Sequence, residues 1–226
     1  METEDRYGVR RLYLVGGTMG VGKTTACKYL KEELDRSVFL DGDWCWDMHP
    51  FQVTAETKRM VLENILFLLN NFLRCPAYEH VIFCWVMHEQ EIIDRILEGL
   101  ELSGCEVHVI SLVCGEEELR ARLRRDVEAG IRQENAVAGS LKRLPLYRRL
   151  HTVKIDVSAL SPEQTAERIG EMGNRDVVLG KARLQDWEDM YRNVWSRPET
   201  ARFMLWRVTK DEEAAKARMK RTIAYE

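Results

Sequence analysis

No stretch of the 226-residue chain reaches the roughly 20 consecutive apolar residues that a bilayer-spanning helix needs. The opening METEDRYGVR has no apolar core of the secretory type, so the expectation is a cytoplasmic protein that engages no membrane. There is no basic excess either: 34 Lys and Arg stand against 37 Asp and Glu, a net charge of −3. A general nucleic-acid binder needs surplus cations to displace counterions from phosphates, so no nucleic-acid partner is expected. The six cysteines form no CxxC pair, and several sit in apolar runs where a thiol behaves as a small hydrophobe. They read as reduced and structural. Cys45 and His49 would make half a zinc site, with no second pair to complete it.

The remaining composition, 45% hydrophobic and 31% charged, is that of an ordinary globular chain, long enough for one α/β domain and an appendage. Short apolar runs alternate with helical periodicity. Strands are predicted at Arg11–Val15, Ser37–Leu40, His80–Met87, Glu106–Val113 and Thr152–Val157. Helices are predicted from Gly22 to Leu34, Thr54 to Arg74, Glu89 to Leu100, Glu116 to Glu128, and from Ser161-Pro162, with Gln164 behind them, to about Gly173. Strands alternating with helices of this length pair in parallel through right-handed crossovers. The expected fold is therefore α/β: a five-stranded parallel sheet of P-loop NTPase type with helices on both faces and a helical lid. Residues 1–173 would form this domain, and 174–226 a small, mostly helical appendage with a short strand at Val177–Leu179 and a break near Pro198.

Gly17-Thr18-Met19-Gly20-Val21-Gly22-Lys23-Thr24 matches G-x-x-x-x-G-K-[ST] in full, after the first strand and at the opening of the first helix. Glycines let backbone N–H groups turn inward around phosphates, and the helix N-terminus adds a favourable dipole. Lys23 would bridge phosphate oxygens, Thr24 would ligate Mg²⁺, and Thr25 would complete the ATP site. The GTPase motifs DxxG and NKxD are absent, as is the transporter loop LSGGQ. The third strand also carries no terminal Asp for a metal, so the carboxylate must come from elsewhere. Asp41-Gly42-Asp43 supplies it at the carboxyl end of the second strand, where open α/β sheets place ligands. In an extended segment the two carboxylates would face one side. Asp41 is assigned to the metal and Asp43 to the acceptor hydroxyl, the order being reversible; a turn capped by Asp is the structural alternative.

The P-loop followed by VFLDGDWCWDMHPF resembles the small-molecule kinases of the gluconate kinase, shikimate kinase and chloramphenicol phosphotransferase group, in which a D-x-D serves metal and acceptor. Gluconate kinases have FLDGD followed shortly by HP; here Trp44-Cys45-Trp46-Asp47-Met48 intervene. Trp44 and Trp46 either stack on a flat substrate or pack in the core. The run Glu117 to Arg125 resembles the E-x-L-x-x-R-L-x-x-R stretch that leads into the lid of nucleotide-kinase-like enzymes, which maps Arg122 and Arg125 onto residues that stabilise the transferring phosphoryl group. A solvated helix face with Glu118–Arg122 support is the alternative. The segment from Gly130 to Arg149 suits a mobile cover, with Arg132 as a further nucleotide ligand and Arg143 and Arg148 as weaker candidates. His88 and Glu89, at the end of the third strand, could meet the acceptor or cap a helix.

The last fifty or so residues resemble the opening strand and two helices of GNAT N-acetyltransferases, without the later strands and pyrophosphate loop that bind acetyl-CoA. The resemblance implies a docking element, for an oligomer or a fusion partner, and no acetyl transfer. The functional expectation is an ATP- and Mg²⁺-dependent phosphotransferase acting on a small molecule, a nucleoside or nucleotide being favoured over an antibiotic or sugar acid. A nucleotide-sensing regulatory module is the alternative from another class.

Overall fold

The computed structural model describes residues 9–173, 187–191, 196 and 209–224. The chain divides into two compact units, Met1–Arg175 and Asp176–Glu226. The first opens with strand β1 (Arg10–Gly17), helix α1 (Lys23–Glu33), β2 (Ser37–Asp41), a 3₁₀ turn (Gly42–Trp46), α2 (Ala55–Arg74) and β3 (His80–Trp85). Helix α3 (Gln90–Glu98), β4 (Cys105–Val113), α4 (Glu116–Glu128), α5 (Asn135–Arg143), a second 3₁₀ segment (Leu144–Arg149), β5 (Val153–Asp156) and α6 (Pro162–Gly173) follow.

The five strands form one parallel sheet in the order β2-β3-β1-β4-β5. The near-continuous apolar character of the strands follows from burial on both sides, because alternate residues of one strand serve opposite faces. In β1, Tyr13 and Val15 enter a core with Cys27 and Leu30 of α1, Leu119 and Leu123 of α4, and Ile169 of α6. Leu12 and Leu14 enter the other, against Val61, Ile65 and Leu69 of α2 and Ile93 and Ile96 of α3. The buried stripe of α2 is Val61, Ile65, Leu69 and Leu73, and Met60 is left exposed. Its start is fixed by a capping box in which Thr54 and Thr57 exchange hydrogen bonds. At α6 the expected start is found: Gln164 N–H donates to Ser161 Oγ, and Ser161 N–H to Gln164 Oε1.

Having β1 in the sheet centre places its carboxyl end, and the loop into α1, between the ends of β3 and β4. This is the crevice where α/β sheets hold ligands. No helix of the described residues is long and apolar enough to cross a membrane.

In the second unit, α7 (Trp187–Met190) and α8 (Glu212–Ala224) are described. Lys216 Nζ lies 4.3 Å from the Trp187 ring centroid, and Tyr191 O–H donates to Lys210 O at 3.2 Å. The expected strand at Val177–Leu179 and the expected break near Pro198 lie outside the described residues.

Candidate functional site

Strand β1 runs directly into Gly17, and α1 begins at Lys23, so the eight-residue motif is the connection itself. Gly22, the residue before the helix, has φ 104°, a backbone region that a β-carbon disfavours. No side chain caps the N-terminus of α1, and its first turn contains no acidic residue. Its first N–H groups are therefore available, with the positive end of the helix dipole, to an anion. Lys23 is 8% exposed and its Nζ donates to Thr18 O at 3.0 Å. Burial holds its pKa below the ordinary lysine value, against the opposing charges of Asp43 and Asp41.

Thr24 O–H donates to Asp41 Oδ2 at 2.6 Å, joining α1 to the end of β2. Asp41 Oδ1 accepts the N–H of Asp43 at 3.0 Å and so caps the 3₁₀ turn Gly42–Trp46. Strand alternation is therefore not what aims the second carboxylate. The strand ends at Asp41, and Asp43 is carried on the turn that Asp41 caps, the arrangement given above as the structural alternative. Gly42 is needed for a further reason: a β-carbon there would lie 2.6 Å from Trp85 Cγ. With glycine, the indole packs under the turn and donates a hydrogen bond to Asp43. Asp43 keeps solvent-exposed surface at a cleft wall, yet partial burial of its carboxyl, and next the charge of Asp41, hold its pKa above the ordinary carboxylate value.

Two clefts meet at this point. One, of about 520 Å³, runs along Gly20 to Thr25 and is walled by Arg122, Arg125 and Arg132, with Leu160 and Pro162 beyond. The other, of about 1150 Å³, is walled by Trp44, Trp46, Phe51, Lys58, Trp85, His88 and Arg143. Met19, Asp43 and Val86 line both. The expected site residues are thus largely brought together, with differences among the arginines. Arg122 donates to Glu118 Oε1 at 2.7 Å, Val21 O at 3.2 Å and Val157 O at 2.8 Å, so it braces the loop against the end of β5. Arg125 has 70% of its side chain exposed at the mouth, and Arg132 donates to Asp126 at 2.8 Å. Arg143 belongs to the second cleft, while Arg148 is exposed. His88 lines the second cleft with its Nδ1 buried and without a partner among the described residues. Trp46 and Phe51 pair at 5.9 Å and Trp46 packs on the core, whereas Trp44 is 55% exposed.

Trp85 and Phe51 were not found from the sequence, and neither was the tie made by Thr18, a residue of the predicted phosphate loop. Thr18 is fully buried and its hydroxyl donates to Ser140 O at 2.9 Å, tying the loop to α5. Trp85 supports Asp43, and Phe51 lines the second cleft. Trp85 and Phe51 each carried an aromatic signal beside a motif; nothing in the sequence beside Thr18 points to Ser140.

The sequence profile of a family described as an AAA domain matches residues 14–142, more than half of the chain. The chain belongs to this AAA-domain family. Among solved structures it is similar to the tunicamycin resistance protein of Deinococcus radiodurans, with 25% identity and a TM-score of 0.58 over 73% of this chain and 95% of that one. A gluconokinase from Sinorhizobium meliloti 1021 shares the fold at 18% identity and TM-score 0.53, over 75% of this chain and 96% of that one. So does a shikimate kinase from Acinetobacter baumannii, at 22% and 0.50, over 75% and 96%. A comparison with curated proteins finds no match. The fold of the first unit is thus that of the P-loop small-molecule kinase-like proteins, a nucleotide-binding fold.

Among the described residues no group of three or more His, Cys, Asp or Glu is placed to hold a metal. Thr24 and Asp41 offer something different: one hydroxyl and one carboxylate oxygen beside the phosphate loop. Hard oxygens, few in number, next to a place for phosphates fit Mg²⁺, which keeps several waters and takes one or two protein ligands.

Proposed function

We propose that the protein transfers the terminal phosphoryl group of Mg-ATP to a hydroxyl or phosphate of a small molecule. The observation that carries this reading is the junction of two clefts at Asp43, one running along the phosphate loop and one leading away from it. In this reading the amides of Gly17 to Gly22 and the first turn of α1 hold the β- and γ-phosphates. Lys23 exchanges the Thr18 carbonyl for phosphate oxygens. Thr24 and Asp41 would hold Mg²⁺, which when bound neutralises charge on those oxygens. Asp43 accepts the proton of the acceptor hydroxyl, a role for which a pKa raised toward neutrality is suited. Arg125 and Arg132 close on the phosphoryl group from α4 and the segment after it, and Arg122 keeps the loop in register with them.

A nucleoside or nucleotide is favoured as acceptor because the second cleft is walled by aromatic rings. An antibiotic acceptor is supported by the likeness to a tunicamycin resistance protein. The test is an ATP-consumption screen with Mg²⁺ over nucleosides, nucleotides, sugar acids and antibiotics, with product detection by mass spectrometry. Slow hydrolysis with no phosphorylated acceptor anywhere in the panel would instead support a nucleotide-sensing module.

A further inference from the structure

Phosphoryl transfer as such does not require the wall that the second cleft has. A sugar acid or polyol is held by many polar side chains, since each hydroxyl taken from water needs a partner. Here the wall is built largely of Trp44, Trp46, Phe51, Val53, Leu62 and Ile92. Trp44, Phe51 and Val53 stay 55%, 66% and 54% exposed, so three large apolar side chains from one short stretch meet water at a single mouth. Large apolar residues grouped round a cleft, rather than scattered, mark contact with an apolar ligand.

The rings are held without being covered. Phe39, itself buried, meets Trp44 edge-on at 5.4 Å and 71°, which fixes the indole from the core side. Phe51 leans on Trp46 at an interplanar angle of 49°. Charge does not favour an anion: Lys58, Arg95 and Arg143 stand against Asp43, Asp47, Glu89 and Glu91, with Arg95 paired to Glu91 at 2.6 Å and His88 beside Glu89 at 3.4 Å. The same cleft reaches Met19, Asp43 and Val86, the residues that it shares with the cleft along the phosphate loop.

Resting on the phosphotransfer reading, we infer that the acceptor is an aromatic alcohol, with a planar ring system seated on Trp44 and Phe51 and its reacting hydroxyl directed to Asp43. Aliphatic sugar acids and polyols are then poor acceptors. The full chain, with Mg²⁺ and a non-hydrolysable ATP analogue, is titrated calorimetrically with adenosine, uridine and chloramphenicol, and with gluconate and shikimate; phosphorylated product is assayed in parallel with ATP. At least one aromatic alcohol should bind tenfold or more tightly than gluconate and shikimate. Trp44→Ala should weaken that affinity by about tenfold, the scale of one stacked ring, and Trp44→Phe should restore most of it. Because Trp44 is more than half exposed, its truncation spares the core. Tightest binding of gluconate or shikimate, no binding by any of the aromatic alcohols, or Trp44→Ala affinities within twofold of the parent would each overturn the inference. Aromatic binding sensitive to Trp44 but without any phosphorylated product would leave it standing and overturn the transfer reading instead.

Discussion

Replacing Asp43 by Asn separates chemistry from architecture more cleanly than any other change in the site. Asn has the same shape and keeps an oxygen to accept the hydrogen bond from Trp85, so the turn capped by Asp41 persists. What is lost is the proton acceptor, and a positioned base contributes roughly 10²–10⁴ in rate, or about 3–5 kcal/mol of barrier. The rate of phosphorylation of the best acceptor should fall by that factor while the affinity for Mg-ATP changes by less than about threefold. Stability should move the other way. A carboxyl whose folded-state pKa is raised binds more protons in the folded state, so stability falls as pH rises from the unfolded value through the folded one. Above the folded value that penalty is fully present, and Asp43→Asn removes it. The variant should therefore melt at a higher temperature than the parent at pH 7, with the difference vanishing below about pH 3.8, the unshifted value. The acid limb of the parent's pH-rate profile should lie above the ordinary carboxylate range and be absent in the variant. A variant that phosphorylates as fast as the parent would refute the assignment of Asp43, and one that melts lower would refute the electrostatic account.

Thr24→Val removes a hydrogen bond to Asp41, which is only 4% exposed, and should cost about 2 kcal/mol in urea unfolding while weakening Mg²⁺-dependent ATP binding. Gly42→Ala should cost about 1–3 kcal/mol, because the added methyl meets the fixed base of the Trp85 side chain rather than a flexible tip, and thermal melts will register it. His80 and His108 flank the buried ring of Tyr13, with centroids at 6.1 and 5.1 Å. Burial lowers the pKa of both, so the unfolded chain takes up protons first and stability should decline as pH falls below about 6.5. Melting curves between pH 7.5 and 5.5 should flatten in a His80→Gln, His108→Gln double variant.

The phosphate loop was legible because its function requires contiguous residues: glycines, lysine and threonine at fixed spacing between a strand and a helix. The sheet was legible because burial on both faces writes itself as apolar runs such as HVIFCW. Contacts between distant positions were not. Nothing near Arg122 announces that its guanidinium will meet Val21 O and Val157 O, 101 and 35 positions away. Nor does Thr18 reveal Ser140, 122 positions on. The buried side of α2 was not legible to the residue, because the period alone fixes a stripe only to within about one residue, and packing selects Val61 over the exposed Met60.

The order β2-β3-β1 sets one strand between β2, which ends in Asp41, and β1, whose loop leads to Thr24 at the start of α1. The side chains of Thr24 and Asp41 therefore arch over β3, and the residue beneath the arch is Cys84, opposite both Val15 and Asp41, with its sulfur 4.0 Å from Thr24 Oγ1. Cys27 and burial keep that thiol in its neutral form. Position 84 is thus a keystone gap: a bulkier side chain would lift hydroxyl and carboxylate apart, and a second acid there would crowd like charge beneath them. The freedom of this small, uncharged site to vary is limited by two neighbours with which it shares no stretch of sequence.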